Sequence, residues 1–214
     1  FAKRFGELVE YPMVKGLDNF PEIVPVAKLP DERVNFGGLW HSDTTYLERP
    51  PMGAILAARE LPPYGGDTFW ANLVVAYDSL SEPLKKLAES LRGLHKFEPP
   101  VGVDATDEYR EMQERRKLTT EHPIVRVHPE TGEKVLYISP SFLKSVVDMS
   151  PRESEQVLEI FWEHAVRPEF TFRYKCEEND LVMWDNRSVL HAATGGYDGY
   201  DRLLHRTTIS DTQF

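Results

Sequence analysis

A histidine and an aspartate stand two residues apart in the segment Trp40-His-Ser-Asp43, and both side chains can bind a metal ion. In an extended strand, residues i and i+2 project from the same face, so the His41 imidazole and the Asp43 carboxylate can converge on one point. An ordinary histidine–aspartate pair near a strand end would give the same pattern. By itself, the segment therefore predicts only half of a metal site.

A third ligand is available in the C-terminal segment Trp184-Asp-Asn-Arg-Ser-Val-Leu-His191. Two histidines and one carboxylate on one face of an octahedral ion leave three coordination positions open. Iron(II) can take a bidentate 2-oxo acid and dioxygen there, whereas a structural zinc ion favours four protein ligands. The set His41, Asp43 and His191 thus favours a catalytic iron site.

Two arginines follow in Arg202-Leu-Leu-His-Arg206. A 2-oxo acid such as 2-oxoglutarate has a distal carboxylate, and a buried carboxylate needs a partner such as arginine. Strand alternation places Arg202, Leu204 and Arg206 on one face, where two guanidiniums would suit two anions, the co-substrate and an acidic substrate. The alternative is a surface-facing pair on an edge strand, which alternation alone leaves open.

The composition limits the class of partner. The chain has 214 residues, enough for one well-buried domain, and 25 Lys and Arg against 35 Asp and Glu give a net charge of -10. Such a charge opposes attraction to phosphate backbones. We expect a small-molecule substrate rather than nucleic acid, and self-association into a homo-oligomer stays open.

The single cysteine, Cys176, cannot form an intramolecular disulfide, and its surroundings in the sequence favour an inert thiol. No apolar run approaches the roughly 18 residues of a membrane span. We therefore predict a cytoplasmic location and no membrane partner.

Several short runs are typical of strands, and two segments carry helix signals. One helix is expected to begin after Ser81 and to end at Gly93, and another follows the capping box Ser150-Pro-Arg-Glu153. The pattern favours a mainly β, α+β protein with a β-sandwich or jelly-roll core and flanking helices. The predicted strands are Gly53–Arg59, Lys134–Ser139, Phe170–Lys175, Leu181–Trp184 and Leu203–Ile209.

The stretch Pro99–Glu121 is rich in charged residues and too polar to be core. We interpret it as a solvated helix or a mobile insertion, with a lid over a pocket as the alternative.

Four motifs occur in order along the chain: Trp40-His-Ser-Asp43, Gly65-Gly-Asp-Thr68, Trp184-Asp-Asn-Arg187 ending in His191, and Arg202-Leu-Leu-His-Arg206. Together they resemble the taurine dioxygenase family, which includes phenoxyacetate herbicide and alkylsulfate dioxygenases. The resemblance runs from Phe1 to the end. It implies a double-stranded β-helix, or jelly roll, in one catalytic domain over residues 1–214, with a further N-terminal segment before Phe1.

The resemblance also implies roles for individual residues. His41, Asp43 and His191 are expected to bind iron(II). Thr68 resembles the family threonine that hydrogen-bonds 2-oxoglutarate, and Arg202 resembles the arginine that pairs with its distal carboxylate. For Thr68, ordinary turn chemistry after two glycines is the alternative.

Two further positions resemble substrate-binding residues of the taurine enzyme. Arg206 corresponds to the arginine that holds the acidic head of the substrate, and Phe142 corresponds to an aromatic residue of the substrate pocket. Core packing is the alternative for Phe142. Gly37 replaces an asparagine that contacts taurine, so a different or bulkier substrate than taurine is expected.

The implied reaction uses dioxygen and couples the oxidative decarboxylation of 2-oxoglutarate to the oxidation of a small anionic substrate. Hydroxylation is the expected form of this oxidation. A sulfonate, a carboxylate or an amino acid would fit, and succinate and carbon dioxide would be released. Two alternatives remain: a metal-dependent jelly-roll hydrolase or isomerase, and a non-catalytic small-acid binding protein. The remaining histidines, for which surface or hydrogen-bonding roles are expected, include His95, His122, His128 and His164.

Overall fold

The computed structural model describes residues 1–11, 14–32, 37–98 and 118–212. Within these ranges the chain is mainly β. The strands are β1 (Leu8–Val9), β2 (Ile23–Lys28), β3 (Gly53–Glu60), β4 (Thr68–Asn72), β5 (Arg92–Lys96), β6 (Thr119–Pro123), β7 (Val125–Val127), β8 (Lys134–Leu136), β9 (Leu143–Val146), β10 (Thr171–Tyr174), β11 (Leu181–Asp185), β12 (Val189–Ala193) and β13 (Arg202–Ile209). The α-helices are α1 (Leu73–Asp78), α2 (Glu82–Ser90) and α3 (Pro151–Ala165), and short 3-10 turns cover Ala2–Arg4 and Pro168–Phe170.

The largest sheet is organised around β13. This strand pairs antiparallel with β1, β2 and β3, and β11 extends the sheet beyond β3. Along β13, Arg202, Leu204 and Arg206 are buried, while Leu203 and His205 are partly exposed. The predicted alternation is confirmed, and the alternative of two surface-facing arginines is wrong.

A smaller antiparallel sheet has the order β10-β4-β12. Trp70 of β4 stands opposite His191 of β12 in the register. The Trp70 ring also contacts the Trp184 ring of β11 at a centroid distance of 5.1 Å. Because β11 belongs to the large sheet, this contact shows that the two sheets face one another, as in the predicted sandwich.

The helices pack outside the facing sheets and cover the main apolar core. Leu158 and Phe161 of α3 are fully buried there, together with Leu143 of β9 and Ile138. The capping box of α3 is confirmed, since Ser150 Oγ accepts from Glu153 N and Ser150 N donates to Glu153 Oε2.

One helix ends earlier than expected, and one further helix was not expected. Helix α2 ends at Ser90, and Gly93 lies inside β5 instead of ending the helix. A Cβ atom on Gly93 would come within 2.4 Å of Leu143 Cδ1, so close packing is the reason for this glycine. Helix α1 was not predicted, because the two β-branched valines in its Leu-Val-Val start are typical of a strand. Asn72 caps the helix through its side chain.

Other boundaries shift by a few residues. The strand expected over 134–139 ends at Leu136, and Phe170 belongs to a 3-10 turn before β10. Of the stretch interpreted as a solvated helix or insertion, residues 99–117 lie outside the described residues. For the end of the stretch the interpretation is wrong, since Thr119–Glu121 belong to strand β6. Among the described helices, none is long and apolar enough to span a membrane.

Candidate metal centre

His41, Asp43 and His191 come together in the space between the two sheets. One possible ligand atom from each lies within 4.8 Å of the others. The Nε2 atoms of His41 and His191 each lie 3.7 Å from Asp43 Oδ1. All three residues are buried. The structure thus assembles the predicted set of three side chains.

The local geometry that brings His41 and Asp43 together is not a strand. His41 forms one isolated bridge to His191, in which each backbone N–H donates to the carbonyl of the other residue at 2.9 and 2.8 Å. The chain then enters a turn that holds Asp43, and Thr44 has a φ of 45°. The prediction of strand alternation was therefore wrong in its cause, although the two side chains do converge.

Hydrogen bonds fix the backbone on both sides of this turn. Ser42 Oγ donates to the Val189 carbonyl at 2.6 Å, which ties the turn to β12. The backbone N–H of Asp43 and the Trp184 indole both donate to Asn186 Oδ1, at 3.3 and 2.9 Å. Such outer contacts hold ligand side chains in one orientation.

The two candidate histidines are held separately. The Leu39 carbonyl lies 2.7 Å from His41 Nδ1 and accepts its proton, which leaves Nε2 without a hydrogen and directed towards Asp43. The His191 ring stacks on Trp70 at 5.3 Å with an interplanar angle of 25°. Both nitrogen atoms that face Asp43 are therefore oriented by neighbouring groups.

The electrostatics favour the ligand forms of all three side chains. Burial alone would raise the pKa of Asp43, but the charge of Arg206, together with His191, His41 and the hydrogen bond with Asn186, outweighs it, and the pKa falls to about 2. Burial lowers the pKa of His41 and of His191. An ionised carboxylate and two neutral imidazoles are the states that bind a metal ion.

The donor set fits iron(II). Asp43 Oδ1 is buried and has no hydrogen-bond partner among the described residues, although a buried carboxylate oxygen is costly to leave unpaired. Two nitrogens and one oxygen on one side of this point match the arrangement of non-haem iron(II) oxygenases, and they are one ligand short of a closed zinc site. A metal ion would satisfy the orphaned oxygen.

A cavity adjoins the two histidines of the candidate metal centre and is lined by the predicted 2-oxoglutarate residues. Thr68, at the start of β4, and Arg202 are both buried at its wall. Arg202 Nη2 donates to the Gly66 carbonyl at 3.2 Å, and Arg202 Nε is buried without a hydrogen-bond partner among the described residues. The cavity is lined by Val26, Gly37, His41, Leu56, Thr68, Trp184, His191, Ala193, Arg202 and Arg206.

Arg206 lies in the same cavity, where Tyr11 covers it. The guanidinium carbon is 4.9 Å from the centroid of the Tyr11 ring and 5.8 Å from that of Trp184. Burial raises the pKa of Tyr11. No sequence motif marks Tyr11, because its position depends on the pairing of β1 with β13.

The two other predicted substrate positions differ in their surroundings. Phe142 lies beside the metal centre, with ring centroids 6.4 Å from His41 and 5.0 Å from Tyr46. It does not line the cavity described above. Gly37 does line the cavity, has a φ of +76°, and would place a Cβ atom 3.1 Å from His41 Cε1. Its lack of a side chain leaves His41 room.

The expectation of surface or hydrogen-bonding roles is confirmed for four of the remaining histidines in its second form, since all four form hydrogen bonds and three of them are buried. His95, His122 and His128 are buried, and each takes part in a hydrogen bond. His164 Nε2 donates to the Ala76 carbonyl of α1 at 2.9 Å, and His164 does not line the cavity. Cys176 is buried, and burial raises the pKa of its thiol, as expected of an inert cysteine.

Comparison with known proteins decides the family. Residues 1–208 match the model of the family described as taurine catabolism dioxygenase TauD, TfdA family. The chain belongs to this family. An alkylsulfatase of Acinetobacter baylyi is 37% identical over 217 residues, which cover 98% of this chain and 67% of that protein. The alpha-ketoglutarate-dependent sulfate ester dioxygenase of Pseudomonas putida is 34% identical, with 98% of this chain and 71% of that protein covered.

Solved structures agree with the family. A taurine dioxygenase from Burkholderia xenovorans has a TM-score of 0.80 at 46% identity, covering 97% of this chain and 69% of that one. The structure of AAD-2 with Mn(II) and N-oxalylglycine has a TM-score of 0.82 at 29% identity, covering 99% and 78%. The predicted jelly-roll core is therefore confirmed.

Membership of the TauD/TfdA family also fixes the general reaction. The chain is a dioxygenase that depends on alpha-ketoglutarate, which is 2-oxoglutarate, and it uses iron(II) and dioxygen. This class is favoured over the hydrolase or isomerase and over the non-catalytic binding protein. The relatives act on small molecules, and the substrates in their names include a sulfate ester, a sulfonate and a dichlorophenoxyacetate.

Proposed function

We propose that this dioxygenase oxidises a small anionic organic molecule and that the oxidation is a hydroxylation. An alkyl sulfate ester or a sulfonate is the first choice of substrate, and carboxylates and amino acids are the next. The observation that carries the proposal is the buried group of His41, Asp43 and His191 beside a cavity with two buried arginines. The names of the alkylsulfatase and the sulfate ester dioxygenase support the sulfur-containing classes.

We assign the metal to His41, Asp43 and His191. The orphaned Asp43 Oδ1 and the two Nε2 atoms, each 3.7 Å from it, supply three donors on one side of the ion. When bound together, iron(II) and 2-oxoglutarate supply the activation of dioxygen that oxidises the substrate, with release of succinate and carbon dioxide. The three side chains hold the ion in place and leave one side open to the cavity.

We assign 2-oxoglutarate to Thr68 and Arg202. The Arg202 guanidinium is buried and keeps Nε without a partner, so a carboxylate there would form a charge-assisted hydrogen bond. Thr68 offers a hydroxyl at the same wall of the cavity. Binding of this dianion in a dry pocket depends on such fixed donors, because water is excluded.

Arg206 is our candidate for the anionic head of the substrate. One of its nitrogens pairs with Asp43, and its Nε has no hydrogen-bond partner among the described residues. Phe142 and Gly37 would shape the apolar side of the substrate pocket. We also propose that residues 1–214 act as one catalytic domain. The cytoplasmic location stays a prediction, and self-association stays open.

The test is an anaerobic titration of the protein with iron(II) and 2-oxoglutarate. A visible charge-transfer band is expected, and it should be lost in Asp43→Ala but kept in His164→Gln, whose histidine lies outside the site. Aerobic turnover should then release succinate, and alkyl sulfates, sulfonates, carboxylates and amino acids are compared as stimulants. If neither the band nor succinate is seen, while zinc supports another activity, the proposal is wrong.

A further inference from the structure

A pair of buried histidines lies behind the turn that carries Asp43. His95 has no exposed surface and His122 is 4% exposed. They come from the paired strands β5 and β6, where His122 stands opposite Gly93, and their ring centroids are 5.3 Å apart. A Cβ atom on Gly93 would lie 2.4 Å from Leu143 Cδ1 and 3.5 Å from His95 Nε2, so the missing side chain leaves room for Leu143 beside the His95 ring.

Each histidine holds a different part of the turn. His95 Nδ1 and Thr45 Oγ1 form a hydrogen bond of 2.8 Å. His122 Nε2 donates to the Leu47 carbonyl at 3.1 Å. One ring thus fixes a side chain two residues after Asp43, and the other fixes the backbone at the end of the turn.

This turn needs such support. Residues 41–46 are all buried, so their polar groups must find partners within the protein. Thr44 has a φ of 45°, a left-handed conformation that is unfavourable for a β-branched residue. Leu47 N donates to the Thr44 carbonyl at 2.9 Å and closes the turn. Strained backbone of this kind persists only where the surroundings hold it.

We propose that His95 and His122 are positioning residues: they lock the turn of residues 43–47 and so hold the Asp43 carboxylate in place for iron(II). The inference rests on the proposed role of Asp43 as a metal ligand. Neither histidine touches the metal site itself; each acts through the turn. Burial lowers the pKa of His95 to about 3 and that of His122 to about 4, so both rings are neutral near pH 7 and add no charge behind Asp43.

The use of different ring nitrogens allows a reciprocal test. The side-chain amide of asparagine lies about where Nδ1 of histidine lies, whereas the amide of glutamine lies about where Nε2 lies. We therefore expect His95→Asn and His122→Gln to keep the hydrogen bonds, and His95→Gln and His122→Asn to lose them. All four variants remove the imidazole, so loss of ring packing is common to both members of each pair.

The readout is iron(II) affinity, measured anaerobically through the charge-transfer band with 2-oxoglutarate, beside the thermal unfolding of the metal-free protein. His95→Gln and His122→Asn should bind iron(II) about tenfold or more weakly, the usual loss when a group that supports a metal ligand is removed. His95→Asn and His122→Gln should bind like the wild type. His164→Asn, which loses the Nε2 hydrogen bond to the Ala76 carbonyl outside the turn, should leave the affinity unchanged.

Equal affinity in all four variants would overturn the proposal. So would an equal loss in both members of each pair, since that result would show a purely structural role of the imidazole rings. If the histidine variants do not fold, Thr45→Val must weaken iron(II) binding while Thr45→Ser keeps it. Equal iron(II) affinity in Thr45→Val and Thr45→Ser, or weaker binding in Thr45→Ser, overturns the proposal. A wild-type protein that binds no iron(II) would overturn the proposed function as well.

Discussion

Arg206 lies against Asp43 in the interior, with Nη2 2.7 Å from Oδ2. The other oxygen of the same carboxylate, Oδ1, faces the Nε2 atoms of His41 and His191. Arg206 therefore keeps Asp43 ionised and turned so that Oδ1 points to the proposed metal position. This arrangement links the proposed substrate side of the cavity to the proposed metal side.

Removal of Arg206 should destabilise the metal-free protein. In Arg206→Ala the Asp43 carboxylate would be left buried without its partner, which costs about 3–5 kcal/mol of the free energy of unfolding. Urea unfolding measures the loss. Because a bound metal ion would compensate part of the carboxylate charge, we expect the loss to be smaller with Mn(II) added. An equal loss with and without Mn(II) would contradict the metal assignment of Asp43.

The two arginines should affect different ligands. In Arg202→Ala the affinity for 2-oxoglutarate should fall by about 30-fold or more, since loss of one partner of a buried charge pair costs 2 kcal/mol or more. In Arg206→Ala the apparent affinity for the anionic substrate should fall instead. Steady-state kinetics with each ligand varied in turn measures both.

Arg167→Ala is the control for this pair, because Arg167 forms an exposed ion pair with Glu169 and neither residue lines the cavity. It should change neither affinity. If Arg206→Ala leaves substrate affinity unchanged while Arg202→Ala weakens 2-oxoglutarate binding, the substrate does not bind through an anionic head at Arg206.

Gly37→Ala should weaken iron(II) binding by displacing His41. The new Cβ atom would lie 3.1 Å from His41 Cε1, and the φ of +76° adds a backbone cost of about 1–2 kcal/mol. Gly132→Ala is a matched control, since its φ is +74° and nothing lies within 4 Å of the added Cβ. Both variants should lose stability, but only Gly37→Ala should lose affinity for iron(II). Equal affinities would show that Gly37 does not control the position of His41.

Stability should depend on pH through His95 and His122. Their pKa values in the folded chain, about 3 and about 4, lie below the ordinary value of 6.5. The unfolded chain therefore binds more protons below pH 6.5, so this contribution is complete above pH 6.5 and is lost as the pH falls towards 4 and 3. The slope is about 1.4 kcal/mol per pH unit for each histidine.

Urea unfolding at pH 7, 6 and 5 measures this slope. The double variant His95→Asn, His122→Gln should show a flatter dependence on pH, because neither amide titrates. The comparison with the wild type removes the contribution of carboxylates, which both proteins share. Parallel curves for the two proteins would show that the histidines are not held neutral in the fold.

The sequence by itself determined the residue types of the site and several local elements. Strand periodicity placed Arg202 and Arg206 on one face, and the capping box began α3 at Pro151; both follow from contacts within a few residues. The three candidate ligands could be chosen from donor chemistry, because few side chains suit iron(II).

Only the tertiary structure decided how these residues meet. The turn at Asp43, the ion pair with Arg206 and the contact of Tyr11 with Arg206 each join distant parts of the chain. Hydropathy and spacing could not predict that His95 and His122 contact this turn, since the pairing of β5 with β6 places them there. The physical reason is that local propensity depends on neighbouring residues, whereas long-range strand pairing depends on the packing of the whole fold.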